Sequence, residues 1–350
     1  MKTVGILTYH DINNFGAQLQ AASLNKFLRD SGYDSSIINY TPIRSRVRIY
    51  ATCIRPFLRF DLKGFNEQRR KREVFRRSAV ELGDISERPI ITSRGVEKAV
   101  RDFDVLVCGS DELWNFDNYL GYQKPYLLDL KFSGKKISYA ASMGNCVPDL
   151  DLKRGFKRGL QSFSKVLVRD GYTSKFLESI GVPSEVVVDP TYLSDVQPVY
   201  KETEPYLMVS GALNYCQIRE IIKLSKILGL RILTPGYKYE GFEDSFIEAS
   251  PQQWIGYIKN AAFHVTSLFH GAAFSMKYQT KFAVYLTPGK ENKIGFMMEL
   301  FNQTHRVIEL PALANQIADL LEEDFSDQFS ENMQRVIERS RRLLIDAVGF

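Results

Sequence analysis

Thr3-Val4-Gly5-Ile6-Leu7-Thr8-Tyr9 is followed by the loop-forming run His10-Asp11-Ile12-Asn13-Asn14-Phe15-Gly16, and from Ala17 to Arg29 the residues Ala21, Leu24 and Leu28 recur at three- and four-residue spacing. The first run has the length and apolar character of a buried strand, and the spacing in the third marks the apolar stripe of a helix. Ser31-Gly32 stops that helix, and Ser36-Ile37-Ile38-Asn39-Tyr40 reads as the next strand. Two strands joined through a helix pair in parallel, because only a crossover of that length can return the chain in the same direction. The alternation continues, with strands predicted at 103–108, 136–141, 165–168 and 185–188. A second series starts at Tyr206-Leu207-Met208-Val209-Ser210, passes through a helix with Ile218, Ile221, Leu224 and Leu228 on one face, and returns at Arg231-Ile232-Leu233-Thr234.

At 350 residues the chain exceeds the size at which one core usually keeps growing, so two α/β domains are expected. Ser194 to Pro205 is polar, contains proline and has no periodicity, which marks it as the linker. The division expected is an N-terminal domain at 1–195, a C-terminal domain at 206–330, and a helix at 331–350 placed to cross back to the first domain. The 44% hydrophobic and 25% charged composition is that of a folded globular chain and excludes disorder. Cys53, Cys108, Cys146 and Cys216 are scattered, without a C-x-x-C or a nearby histidine pair, so neither zinc nor a disulfide framework is indicated. The opening apolar run is too short for a signal peptide, and no window supplies the roughly 20 apolar residues of a membrane span. A cytoplasmic location is therefore expected, where the Asn302-Gln303-Thr304 sequon carries no meaning.

Charge is unevenly distributed. Between Arg44 and Arg77 twelve Lys and Arg residues face Asp61, Glu67 and Glu73, a local excess of nine positive charges in a chain whose net charge is +5. Tyr50, Ile54, Phe57, Leu58, Phe60, Phe65 and Phe75 interleave with them. Such a surface suits phosphates or anionic lipid at the inner membrane face, or is simply a solvated helical face. No nucleic-acid-binding motif accompanies the segment, so nucleic acid is not expected as a partner.

Ligand sites in open α/β sheets lie at the carboxyl ends of strands, where helix N-termini offer N–H groups to anions. Val265-Thr266-Ser267-Leu268-Phe269-His270-Gly271-Ala272 places an imidazole there, either as an acid/base or as a helix cap. Four further segments are candidates to line a cleft between the domains. Asn14, Gly16 and Gln18 lie in a strand-to-helix turn without G-x-G-x-x-G or a P-loop lysine, which excludes dinucleotide and NTPase motifs. Cys108-Gly109-Ser110-Asp111-Glu112-Leu113-Trp114-Asn115 reads as a turn with a polyol-stacking Trp. Ser138 to Gly144, including Ser142, is rich in small residues that permit close approach. Arg169-Asp170 ends a strand with a guanidinium able to clamp a carboxylate or phosphate, or to pair structurally with an Asp.

Together these segments resemble the polysaccharide pyruvyl transferase family. The matching pieces are Asn14-Phe15-Gly16-Ala17 with Leu19-Gln20, Gly109-Ser110-Asp111 with Trp114-Asn115, Ser138-Tyr139-Ala140-Ala141-Ser142, Arg169-Asp170, Val188-Asp189-Pro190-Thr191, and Thr266-Ser267 with Phe269-His270-Gly271, in family order. The resemblance implies two Rossmann-like domains in a glycosyltransferase-B-like arrangement. It implies phosphoenolpyruvate as co-substrate, no other cofactor, and a lipid- or nucleotide-linked saccharide as acceptor in surface exopolysaccharide assembly. Where relatives often carry Arg two positions before the motif His, this chain has Leu268. Ketal formation requires a proton for the enol methylene carbon, cations and amides for a trianionic donor, and polar groups for sugar hydroxyls. His270 fits acid/base work or phosphate binding, Arg169 the anion clamp, and Asp111 with Asn115 the acceptor hydroxyls or a base. Ser110, Trp114, Ser142, Asp170, Thr266, Ser267 and Gly271 complete the expected binding set, with no metal ligand among them. A glycosyltransferase using an activated sugar, and a non-catalytic saccharide-binding relative, are the alternatives.

Overall fold

The computed structural model describes residues 1–83, 85, 89–118, 123–200, 204–309 and 314–349 and divides into two units, Met1–Asp195 with Val336–Phe350, and Val196–Arg335. Unit 1 runs β1 (Thr3–Leu7), α1 (Phe15–Asp30), β2 (Asp34–Ile37), α2 (Ile43–Leu58), α3 (Leu62–Gly83), α4 (Ser93–Ala99), β3 (Val105–Cys108), β4 (Lys135–Ala141), α5 (Leu150–Leu160), β5 (Lys165–Val168), α6 (Gly171–Ser179) and β6 (Glu185–Val186). Its strands form one parallel sheet in the order β2-β1-β3-β4-β5-β6, with Val4 opposite both Ser35 and Val105. β3 is buried at every position, which is why it reads as an unbroken apolar run rather than an alternating one.

Unit 2 runs β7 (Tyr206–Ser210), α7 (Tyr215–Leu228), β8 (Arg231–Pro235), β9 (Phe246–Ile247), α8 (Pro251–Asn260), β10 (Phe263–Thr266), α9 (Phe269–Tyr278), β11 (Phe282–Tyr285), α10 (Glu291–Leu300), β12 (Val307–Ile308), α11 (Ala314–Glu322) and the start of α12 (Asp327–Gly349). The parallel order β12-β11-β10-β7-β8-β9 is that of a doubly wound Rossmann sheet, whose direction of winding reverses between β7 and β10. Capping boxes at Asn214 and Ser250, each answered by a Gln three residues on, start α7 and α8. From Val336 onward α12 belongs to unit 1, where Leu344 and Val348 are fully buried.

Several boundaries differ from expectation. β2 occupies 34–37 rather than 36–40; past its end the Ile38 N–H still donates to the Ile6 carbonyl, Tyr40 pairs with Ile90 instead of β1, and both side chains enter the core of unit 1. α1 starts at Phe15, two residues before the apolar spacing shows it, because Asn14 caps it by accepting from the Ala17 N–H at 3.1 Å. Within the expected 194–205 linker, Ser194 donates to the Ser23 carbonyl inside unit 1 and Val199 donates to the Gln252 carbonyl inside unit 2. Residues 201–203 of that linker lie outside the described residues. Among the described residues no helix is long and apolar enough to cross a membrane.

Candidate active site

In unit 2 the chain leaves β10 at Thr266 and enters α9 only two residues later, so His270 and Gly271 lie in the first helical turn rather than at the end of the strand. Gly271 is required for packing, because a Cβ there would lie 2.2 Å from Thr266 Oγ1. Thr266 and Ser267, expected as ligand contacts, are fully buried. The Thr266 hydroxyl accepts from the Leu268 N–H at 3.1 Å, and the Ser267 hydroxyl donates to the Ala212 carbonyl at 2.8 Å. Both therefore shape the turn. His270 is half-buried, with its ring edge-on to Phe269 at 5.2 Å, and Leu268 at the cap makes no side-chain cap hydrogen bond. The N-cap residue itself thus offers no side-chain acceptor to the α9 amides, in contrast to the Asn- or Asp-capped α1, α5, α6 and α7. Lys290 brings an ammonium to the same strand end, 3.4 Å from the Ser267 carbonyl.

A second histidine supports this turn from beneath. His264 is fully buried on β10, with Nδ1 2.8 Å from Ser275 Oγ and Nε2 2.8 Å from Ser210 Oγ. Ser275 donates to the Gly271 carbonyl, so it accepts from His264 Nδ1–H; Nε2 then accepts from Ser210, which in turn accepts from Thr266 at 2.9 Å. Each hydroxyl and ring nitrogen has one assigned direction, and the chain ties β7 and β10 to the start of α9. Burial holds His264 neutral by lowering its pKa from 6.5 to about 3.

In unit 1 the winding reverses between β1 and β3, and the two strand ends are bridged by side chains. Gln20 donates to Thr8 Oγ1 at 2.8 Å and accepts from the Ser110 N–H at 3.3 Å, while the Thr8 hydroxyl donates to the Ser110 carbonyl. Gly109 adopts φ 127°, and a Cβ there would lie 2.1 Å from the Tyr139 carbonyl oxygen. Beyond it Asp111 has φ 82°, a left-handed conformation uncommon for a non-glycine residue, and its carbonyl accepts from Ser142 N–H. Its carboxylate is 17% exposed and lies 3.6 Å from Arg169 Nη2.

Arg169 departs from the expected anion clamp. Its side chain is 2% exposed and donates from Nη1 to Asp189 Oδ2 at 3.0 Å, so the guanidinium is enclosed among carboxylates rather than presented to solvent. Burial opposes its charge, but Asp189, Asp111, Glu112 and Asp170 outweigh that and raise its pKa above the ordinary range. Asp189, a residue without an assigned role at the level of sequence, is the hub: Oδ2 also accepts from the Ser110 hydroxyl, and Oδ1 accepts from the N–H and hydroxyl of Thr191.

Trp114 is a correction as well. It is fully buried, donates its indole N–H to the Tyr126 carbonyl and packs edge-on to Phe156, leaving no face for a sugar ring. Gln18 is buried and donates to the Phe75 carbonyl, Asp170 caps α6, Gly16 is buried inside α1, and the Ser142 hydroxyl accepts from Gly144 N–H. Asn115, partly exposed, donates to Glu112 Oε2 at 3.0 Å and stays beside Asp111 in the loop. Asp111, Glu112 and Asn115 are accessible polar groups of this loop, a set that suits hydroxyls rather than anions. Among the described residues no group of three or more His, Cys, Asp or Glu side chains is placed to hold a metal ion.

The family model for polysaccharide pyruvyl transferase matches residues 14–287. Among solved structures, the chain is similar to one from Listeria monocytogenes assigned as a UDP-N-acetylglucosamine 2-epimerase, at 9% identity and TM-score 0.58, over 99% of this chain and 95% of that one. It is also similar to the UDP-GlcNAc 2-epimerase from Neisseria meningitidis bound to UDP-GlcNAc, at 9% identity and TM-score 0.54, over 99% of both chains. These likenesses show the fold, two α/β domains, and nothing of the chemistry. No curated protein matches the chain.

Proposed function

This chain belongs to the polysaccharide pyruvyl transferase family, and from that premise we propose that it transfers a pyruvyl group from phosphoenolpyruvate to a saccharide, forming a pyruvate ketal during surface polysaccharide biosynthesis. In that reaction the methylene carbon of the enol takes a proton, two sugar oxygens bond to the central carbon, and the bond from that carbon to the phosphate oxygen breaks. Of the two hydroxyl protons released, the balance leaves one on the new methyl group and one with the phosphate. The observation that carries the reading is the grouping at the β10–α9 turn of a half-buried imidazole, the N-terminal turn of a helix without a side-chain N-cap, and the Lys290 ammonium. In this reading His270 delivers the proton. The α9 amides and Lys290 meet the donor's negative charge, a task for which Leu268 supplies no cation.

Asp111 and Asn115, with Glu112, take the acceptor's hydroxyls, and Arg169, itself fixed by the buried Asp189 hub, acts as a positioning residue beside Asp111. The acceptor is a lipid- or nucleotide-linked saccharide. A second reading, transfer of a sugar from a nucleotide donor, is favoured by the Rossmann order of the unit 2 sheet and by the nucleotide-sugar in the Neisseria neighbour. Incubating acceptor oligosaccharides with phosphoenolpyruvate decides between them. A mass gain of one pyruvate less one water, matched by inorganic phosphate, supports the ketal. Release of nucleotide from a nucleotide-sugar, with no such gain, overturns it.

A further inference from the structure

α2 has two apolar sides, and only one of them is covered. At about 100° per residue, Ile43, Val47, Tyr50, Ile54, Phe57 and Leu58 fall within an arc of roughly 100°. All six are exposed, Ile43 and Val47 by 60% or more, although α2 packs on α3 mainly through its other side, where Ile49, Cys53 and Pro56 are partly buried; at the edge of the stripe the Phe57 ring also meets Phe65 of α3 at 5.5 Å. The surface continues through Phe60, which is 95% exposed, and Leu62. Arg44, Arg48 and Arg55 flank the stripe on one side and Arg46 on the other, and α2 contains no acidic residue. Between α2 and α3 lies a cavity of about 310 Å³, lined by Arg46, Arg69, Arg72 and Arg76 against Asp11 and Glu73.

We propose that this face docks on an anionic bilayer, with the α2 stripe at the level of the acyl-chain boundary and the arginine flanks at lipid phosphates. Charge complementarity selects the occupant. A second copy of the chain meeting this face about a two-fold axis would set arginine flank against arginine flank, which repel. Lipid phosphates neutralise both flanks while the apolar stripe leaves water, the arrangement of an interfacial amphipathic helix. A purely electrostatic contact would have no use for six exposed apolar side chains in register. Docking here holds whichever group the chain transfers.

The test is sedimentation of the full chain with vesicles of phosphatidylcholine alone or with about a third phosphatidylglycerol, across a salt series. Binding should require the anionic lipid. Replacing Arg44, Arg48 and Arg55 with Gln should weaken it by roughly a hundredfold, at about fivefold per charge. Ile54→Gln with Phe57→Gln should weaken it by about tenfold or more at the same net charge. In Tyr50→Trp, fluorescence should shift to the blue on anionic vesicles and be quenched by brominated acyl chains; the native Trp114 and Trp254, both buried, give the unchanged background. Unaltered melting of every variant confirms that the exposed changes leave the fold intact. Equal vesicle binding by the Ile54/Phe57 variant and wild type overturns the proposal. So does a concentration-dependent dimer that the same variant abolishes, which would assign the stripe to a second copy, or fluorescence of the Tyr50→Trp variant that is indifferent to the quencher.

Discussion

His270 stands half-buried on the first turn of a helix, with its ring edge-on to Phe269, so removing it disturbs little of the core. His270→Ala should keep the wild-type melting profile and lower turnover by roughly two to four orders of magnitude. His270→Gln should be nearly as slow, since an amide hydrogen-bonds but does not cycle a proton. Steady-state rates within tenfold of wild type for both would leave the residue as part of the helix start alone. Arg169 predicts the opposite division. Its removal leaves the buried Asp189 carboxylate without its cation, so Arg169→Ala should destabilise unit 1 by about 3–5 kcal/mol. Donor affinity, read by titrating phosphoenolpyruvate, should stay near wild type while acceptor KM rises as Asp111 loses its anchor. A large fall in donor affinity with unchanged stability would restore the guanidinium to the donor site.

At the scale of elements, the chain His264–Ser210–Thr266 with Ser275 fixes how α9 leaves β10, and it operates only with a neutral imidazole. The folded pKa of His264 lies below its ordinary value, so the unfolded chain binds a proton that the folded one refuses. Stability should therefore be complete above about pH 6.5 and fall as pH drops from there towards about 3, by up to about 1.4 kcal/mol per unit. Chemical denaturation at a series of pH values should be less steep for His264→Gln than for wild type. Parallel curves would mean that the ring protonates without penalty in the fold.

This network also shows what the sequence conceals. The strands at 165–168 and 206–210 coincide with expectation, because strands covered on both faces are continuous apolar runs between polar turns. Side-chain partners are set by strand order instead. Asp189 meets Arg169 because β6 is laid beside β5, and His264 meets Ser210 because β10 is laid beside β7 rather than beside β9. Trp114 reads as a ligand platform next to Asp111 and Asn115, yet the loop turns it inward onto Phe156, a direction that spacing does not carry. On α2 the helical spacing is plain, but only α3's position shows which side of the helix is left uncovered.

For the whole molecule, the chain returns to its starting unit in its last residues. The Ser340 hydroxyl accepts from the Val188 N–H at 3.1 Å, just before the Asp189 hub. Arg339 donates to the Val186 carbonyl and pairs with Glu185, and Arg341 donates to the Leu193 carbonyl. Leu344 and Val348 are fully buried in the part of α12 that belongs to unit 1. Leu344→Ala should therefore weaken unit 1, although residue 344 is far along the chain from that unit's sheet. Truncating a fully buried Leu costs about 2–5 kcal/mol. The two tryptophans allow the units to be followed separately, since Trp114 lies in unit 1, Trp254 lies in unit 2, and both are fully buried. In a Trp254→Phe background, Leu344→Ala should move the Trp114 fluorescence transition to lower denaturant. In a Trp114→Phe background, the Trp254 transition should keep its midpoint. Movement of the Trp254 transition alone would place the final turns of α12 in the energetics of unit 2, and movement of neither would mean that unit 1 is stable without them.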